Sequence, residues 1–155
     1  MQVGVVTQGE RMYRHGYSRD EGVLLSVLSG ASCTDEEWAA YLRDGHQAFE
    51  DARSRKEELL LVVLVEDGFG RPNAAQRKLI ADGLAKFQGT ASSFFICVTK
   101  STILRSVLTA LSWVVTVPNQ EQRTAATFEE AVAHAEKRRG RKLPIISTLY
   151  RQATS

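Results

Sequence analysis

A run of seven consecutive aliphatic residues, Leu59–Val65, constrains the fold of this chain more than any other feature. A strand with one face in water alternates apolar and polar side chains, whereas a strand covered by helices on both faces is apolar throughout. The run is also too short to cross a bilayer as a helix, which takes about 20 apolar residues. It therefore predicts a central strand in a mostly parallel sheet, with helices on both faces.

Predicted strands and helices alternate on either side of this run. Apolar or β-branched segments indicate further strands over residues 22–29 and 93–98 and a short edge strand over 122–126, after an irregular or edge-strand start. Helical periodicity and end signals indicate helices over residues 35–55, 72–89 and 103–113 and a last helix after Thr127. Alternation of this kind predicts an α/β domain with a four- to five-stranded, mostly parallel sheet and about four helices.

Capping residues and apolar spacing define these helices further. Thr34 with Glu37 and Thr127 with Glu130 each have the spacing of a capping box. The second helix is expected to bury the apolar residues that recur along it, which are Ala75, Leu79, Leu84 and Phe87.

The length and charge of the chain narrow the class of protein. A chain of 155 residues with a net charge of +2 fits one ordinary domain, and it lacks the basic excess of a dedicated nucleic-acid binder. Cys33 and Cys97 form no CxxC pair, so neither a disulfide framework nor a structural metal site is expected. With no export signal in its first residues, the chain is expected to be cytoplasmic. Its glycines form neither a phosphate-binding GxxxxGKS/T loop nor a GxGxxG fingerprint, and no cofactor is expected.

Four segments have a recognisable pattern, and they are Leu104–Trp113, Thr116-Val-Pro118, Thr124–Ala133, and Gly30 with Thr34-Asp-Glu-Glu37. In these segments the chain resembles bacterial STAS-like domains, over roughly residues 20 to 137. The resemblance implies a STAS-like domain over residues 1–137, followed by a basic and apolar tail over 138–155. It also implies the fold of anti-sigma factor antagonists and of the cytoplasmic domains of sulphate transporters, with the lipid-binding CRAL-TRIO-like domains as more distant relatives.

Such a resemblance implies docking to a protein partner as the function. Anti-sigma factor antagonists are switched by phosphorylation of a serine or threonine after the central strand. The corresponding stretch in this chain, Glu66-Asp-Gly-Phe-Gly70, contains no hydroxyl group, so the phosphorylation switch is not carried over.

Three loops are predicted to meet where the parallel strands end, the edge at which open α/β sheets bind ligands and partners. They span residues 30–34, 67–73 and 99–102. The predicted partner-binding residues lie in the last two, and they are Asp67, Gly68, Phe69, Arg71, Asn73, Lys100, Ser101 and Thr102. Alternatively, Asp67 only forms a turn and Ser101 or Thr102 only caps a helix.

The basic run 137–142 is the other candidate site. Its cations Arg138, Arg139, Arg141 and Lys142 could contact anionic lipid at a membrane surface or an acidic partner, or they could form a solvated helix end. The residues that follow are expected to be either flexible or laid across the domain.

The expected function is a non-enzymatic protein–protein interaction or regulatory docking module. The alternative is a carrier of a small ligand or lipid, of CRAL-TRIO-like type, with an apolar cavity between sheet and helices. A third hypothesis is that the chain is an enzyme that uses Asp67 as a base or Cys33 as a nucleophile.

Overall fold

The structure is a computed structural model that describes residues 12–29, 33–68, 72–86, 92–102 and 120–155. Within these residues, five strands form one sheet in chain order: β1 (Tyr13–Ser18), β2 (Val23–Leu28), β3 (Leu59–Val65), β4 (Ser93–Val98) and β5 (Gln120–Ala125). The first pair is antiparallel and the other pairs are parallel. The described helices are α1 (Asp35–Arg55), α2 (Ala74–Ala85), α3 (Phe128–Arg139) and α4 (Ile145–Thr154). The predicted α/β class with a mostly parallel sheet is confirmed.

The aliphatic run forms β3, the middle strand of the sheet, and all of its side chains are buried. Leu60, Val62 and Leu64 belong to the core cluster that includes residues of α3 and α4. Leu61 and Val63 point to the opposite face and pack with residues of α1. Burial on both faces is therefore the physical reason for the absence of polar residues in this strand.

The helices form two layers. On one face, α3 contacts β3, β4 and β5, and α4 contacts β1 and β2. On the other face, α1 contacts β1, β2 and β3, and α2 packs against α1. The predicted helix over 103–113 lies outside the described residues.

The C-terminal residues are part of this core. Helix α3 continues to Arg139 and ends at Gly140, whose φ of 70° suits glycine. Beyond it Leu143, Ile146, Leu149 and Ala153 are each no more than 3% exposed and pack against β1 and β2. Residues 143–153 are thus laid across the sheet, and the expected boundary after residue 137 does not mark the end of the core.

The predicted cap of α1 is present. Glu37 N donates to Thr34 Oγ1 at 3.1 Å, and Glu37 Oε1 accepts from Thr34 N at 3.0 Å. In α3, Glu130 N donates to Thr127 Oγ1 at 3.1 Å, but the Glu130 carboxylate accepts from Ala126 N instead of from the capping residue. Both helices therefore begin where the sequence predicts.

Candidate docking surface

The described parts of the three predicted loops follow β2, β3 and β4 and lie at one edge of the sheet, because these strands are parallel neighbours. Asp67 and Gly68 are exposed in a turn after β3, and Gly68 has a φ of 84° that glycine adopts without strain. Lys100, Ser101 and Thr102 are exposed after β4. Phe69 and Arg71 lie outside the described residues.

Asn73 has a structural role that the sequence reasoning missed. Its Oδ1 accepts from Gln76 N at 2.8 Å, while Gln76 Oε1 accepts from Asn73 N at 3.0 Å. Asn73 and Gln76 thus form a reciprocal cap at the start of α2, the amide counterpart of a capping box. The Asn-x-x-Gln spacing is the sequence signal that would have revealed it.

Gln76 also joins the loop after β3 to the loop after β2. It is a buried polar residue, 7% exposed, and its Nε2 donates to Cys33 O at 3.1 Å and to Asp35 Oδ1 at 3.0 Å. A buried amide without hydrogen bonds would destabilise the folded state. The two contacts of Gln76 therefore fix the position of α2 against the start of α1.

A glycine sets the second contact between these helices. A methyl group added at Gly83 would lie 2.7 Å from Leu42 Cδ1, so the absence of a side chain there lets α2 approach α1 closely. Gln76 and Gly83 therefore turn the same side of α2 toward α1.

This orientation contradicts the predicted burial of Ala75 and Leu79, while Phe87 and the side chain of Leu84 lie outside what the structure describes. Ala75 is exposed and Leu79 is 37% exposed, whereas Gln76 is buried and Ile80 packs against the core. The prediction was wrong because apolar spacing alone does not reveal a buried glutamine or a helix contact made through glycine. Leu79 is the one large apolar side chain that is exposed among the described residues.

The two thiols lie beneath this edge of the sheet. Cys33 and Cys97 are each 2% exposed and share a core cluster with Tyr13 and Val63. Burial, together with the charge of Glu37 in the case of Cys33, raises the pKa of each thiol to about 12. Both thiols are therefore protonated at neutral pH, where a cysteine nucleophile needs its thiolate.

The basic run lies at the opposite end of the parallel strands, where β2 and β3 begin. Arg138 forms a bidentate pair with Glu58, with Nη2 2.7 Å and Nε 2.9 Å from the carboxylate oxygens, and also contacts Glu121 at 3.3 Å. Arg139 donates to the backbone oxygens of three residues at the strand starts, Glu21, Gly22 and Glu58. These two cations thus hold α3 against the sheet.

Two further cations of the run, Arg141 and Lys142, form ion pairs with carboxylates. Arg141 lies 3.0 Å from Glu21, and Lys142, whose side chain is 92% exposed, lies 3.7 Å from Glu136. The basic run lies where the parallel strands begin, and the three loops lie where these strands end. They are consequently two separate surfaces at opposite ends of the strands.

The described residues contain no group of three or more His, Cys, Asp or Glu side chains placed to hold a metal ion. No helix within them has both the length and the apolar character needed to span a membrane.

Comparison with known proteins found no relative for this chain. No protein-family model, no curated protein and no solved structure matches it.

Proposed function

We propose that this chain is a non-enzymatic docking module of STAS-like type that binds a protein partner. Its docking surface consists of Asp67, Gly68, Asn73, Ala75, Leu79 and Lys100. The observation that carries the proposal is the outward orientation of Leu79 on a helix that begins at the edge where the parallel strands end.

Both the orientation and the position of Leu79 support docking. Because Gln76 and Gly83 face α1, Ala75 and Leu79 face away from the core, and this arrangement leaves Leu79 available to another molecule. Leu79 lies about one helical turn from Ala75, which is exposed on the same side.

The surroundings of Leu79 suit a protein partner. Lys78 and Asp82 form an exposed ion pair at 3.0 Å on the same helix, and Arg77 is exposed beside them. Protein interfaces generally have an apolar centre surrounded by a polar, solvent-accessible rim, and Leu79 with its charged neighbours has this arrangement. We place Leu79 at the centre of the interface and Asp67 and Lys100 at its rim.

Affinity capture from the native cell tests this proposal. Tagged wild-type chain is compared with Leu79→Glu and Lys100→Glu, and with Ala133→Glu as a control. Ala133 is exposed on α3, which covers the opposite face of the sheet. The proposal expects a partner that wild type and Ala133→Glu retain, that Lys100→Glu retains less well and that Leu79→Glu loses.

Two results would contradict docking through this surface. One is a set of captured proteins that Leu79→Glu and Lys100→Glu leave unchanged. The other is a lipid that copurifies reproducibly in native mass spectra while no protein is retained, which would favour the carrier function. Circular dichroism of each variant checks that the fold is intact, as expected for substitutions at exposed positions.

A further inference from the structure

Strand β5 forms an edge of the sheet, and no strand of the described chain pairs with its outer side. Its residues Gln122, Arg123 and Thr124 are exposed. An edge of this kind presents a row of backbone N–H and C=O groups that can pair with another strand.

The backbone hydrogen bonds identify which residues of β5 present these groups. Thr99 N donates to Ala125 O at 2.9 Å, so the backbone groups of Ala125 face β4. The N–H and C=O groups of alternate residues point to opposite sides of a strand. Glu121 and Arg123 therefore also face β4, while Gln120, Gln122 and Thr124 present their backbone groups outward.

These outward groups restrict how β5 can pair with β5 of a second copy. In an antiparallel pair, residues that exchange both backbone hydrogen bonds lie directly opposite each other. A two-fold axis at Gln122 places Gln122 opposite Gln122 of the second copy, and Gln120 opposite its Thr124. All outward groups of these residues are then paired.

The charges of β5 favour this register. With the axis at Gln122, Glu121 lies opposite Arg123 of the second copy, at positions where Cα atoms come within about 4.5 Å. A shift of the axis to Glu121 or Arg123 places like charges opposite each other. Within one chain Glu121 and Arg123 already lie 3.1 Å apart on the same side of the strand, with about half of each side chain buried.

We propose that the chain forms a two-fold homodimer in which the β5 strands pair antiparallel about Gln122 and join the two sheets. Charges on an edge strand generally oppose pairing. On β5 they are of both signs and self-complementary, so they oppose the shifted registers and favour one. The proposal is independent of the docking surface, because α2 packs on α1, which covers β1, β2 and β3.

Sedimentation velocity over a range of concentrations tests the dimer. The wild-type chain of 17.2 kDa is expected to approach twice this mass as its concentration rises. Arg123→Glu places glutamates opposite each other, and Glu121→Arg places arginines opposite each other. Each is expected to weaken dimerisation by at least about tenfold, since like charges directly opposite are unfavourable.

Mixing the two variants makes the test specific. In a mixed dimer the glutamates at positions 121 and 123 of the Arg123→Glu chain lie opposite the arginines at positions 123 and 121 of the Glu121→Arg chain, so an equal mixture is expected to dimerise again. Gln122→Pro removes an outward N–H that β4 does not use, and it is expected to give a folded monomer. The control is Arg43→Glu, which reverses a charge that is 74% exposed on α1 and is expected to leave the dimer intact.

The proposal is overturned by a wild-type chain that stays monomeric at all concentrations. It is equally overturned by a dimer that both charge reversals leave unchanged, or by a mixture that stays monomeric. If Gln122→Pro does not fold, the mixture of charge-reversed chains still decides between these outcomes.

Discussion

The carboxylate of Glu37 connects two backbone segments that are separate in sequence, the start of α1 and the start of β1. It accepts from Thr34 N at the start of α1, from Met12 N at 2.8 Å and from Tyr13 N at 3.0 Å. Desolvation alone would raise the pKa of Glu37, but these backbone donors outweigh it and hold the pKa below its ordinary value of 4.5. The ionised form of Glu37 therefore stabilises both the helix start and the edge strand β1.

This linkage predicts how stability depends on pH. Because the pKa of Glu37 is lower in the folded state, its contribution is present above the unfolded pKa and is lost as the pH falls through the folded value. Glu37→Gln should therefore lower the free energy of unfolding most near neutral pH. The difference from wild type should shrink as the pH falls below about 4.5.

Urea denaturation between pH 7 and pH 3 measures this difference. Comparison with wild type at each pH is necessary, because Asp51 and Glu58 also have lowered pKa values and destabilise every variant in acid. Glu36→Gln, at an exposed neighbouring position, is the control. A difference between Glu37→Gln and wild type that stays constant with pH would refute the role of the charge.

At the scale of elements, contacts distant in sequence determine what local patterns cannot predict. The positions of β2, β3, β4 and α1 follow from apolar runs and a capping box, which act within a few residues. The orientation of α2 depends on Gln76 reaching Cys33 O across 43 positions and on Gly83 meeting Leu42. The sequence therefore predicted which loops meet at the ends of the parallel strands, but it did not predict that Leu79 is exposed there.

Helix α4 shows the same dependence on tertiary contacts. Pro144, which precedes its first residue, makes no side-chain capping hydrogen bond, so the helix lacks a capping box like the one that marks the start of α1. A helix of 10 residues is marginal by itself, so packing against the sheet must stabilise it. The spacing of Leu143, Ile146, Leu149 and Ala153 is a sequence signal that could have indicated it.

The contact between α4 and β1 depends on Gly16. A methyl group at Gly16 would lie 2.6 Å from Leu149 O and 3.0 Å from Leu149 Cα. Because these are backbone atoms, no side-chain rotation can relieve the overlap. We expect Gly16→Ala to lower the free energy of unfolding by about 1–3 kcal/mol through displacement of α4.

Gly83→Ala is the matched control, measured by the same urea denaturation. Its new methyl group would meet the flexible end of Leu42, which can rotate, and alanine favours a helix over glycine by about 1 kcal/mol. Gly83→Ala should therefore destabilise the chain less than Gly16→Ala. The reverse order would mean that β1 and α4 separate easily.

At the scale of the whole molecule, the last helix covers one end of the sheet. Helices α3 and α4 share one core cluster with alternate residues of β2, β3 and β4. Removal of α4 would expose β1 and β2 on a face where Val23, Leu25 and Val27 are no more than 1% exposed. We therefore expect the domain to require its C-terminal residues, although their basic and apolar composition suggests an appendage.

Deletion of residues 142–155 tests this requirement. It removes Leu143, Ile146 and Leu149, each worth about 1.5–3 kcal/mol of burial, from a domain whose expected stability is about 5–15 kcal/mol. We expect the shortened chain to lose its cooperative urea transition and to bind a dye specific for exposed apolar surface. A shortened chain that unfolds cooperatively at the wild-type urea concentration would show that β1 and β2 are stable without α4.

In the full chain, Leu149→Ala should lower the free energy of unfolding by about 2–5 kcal/mol, while Gln152→Ala, at an exposed position, should change it by less than about 0.5 kcal/mol.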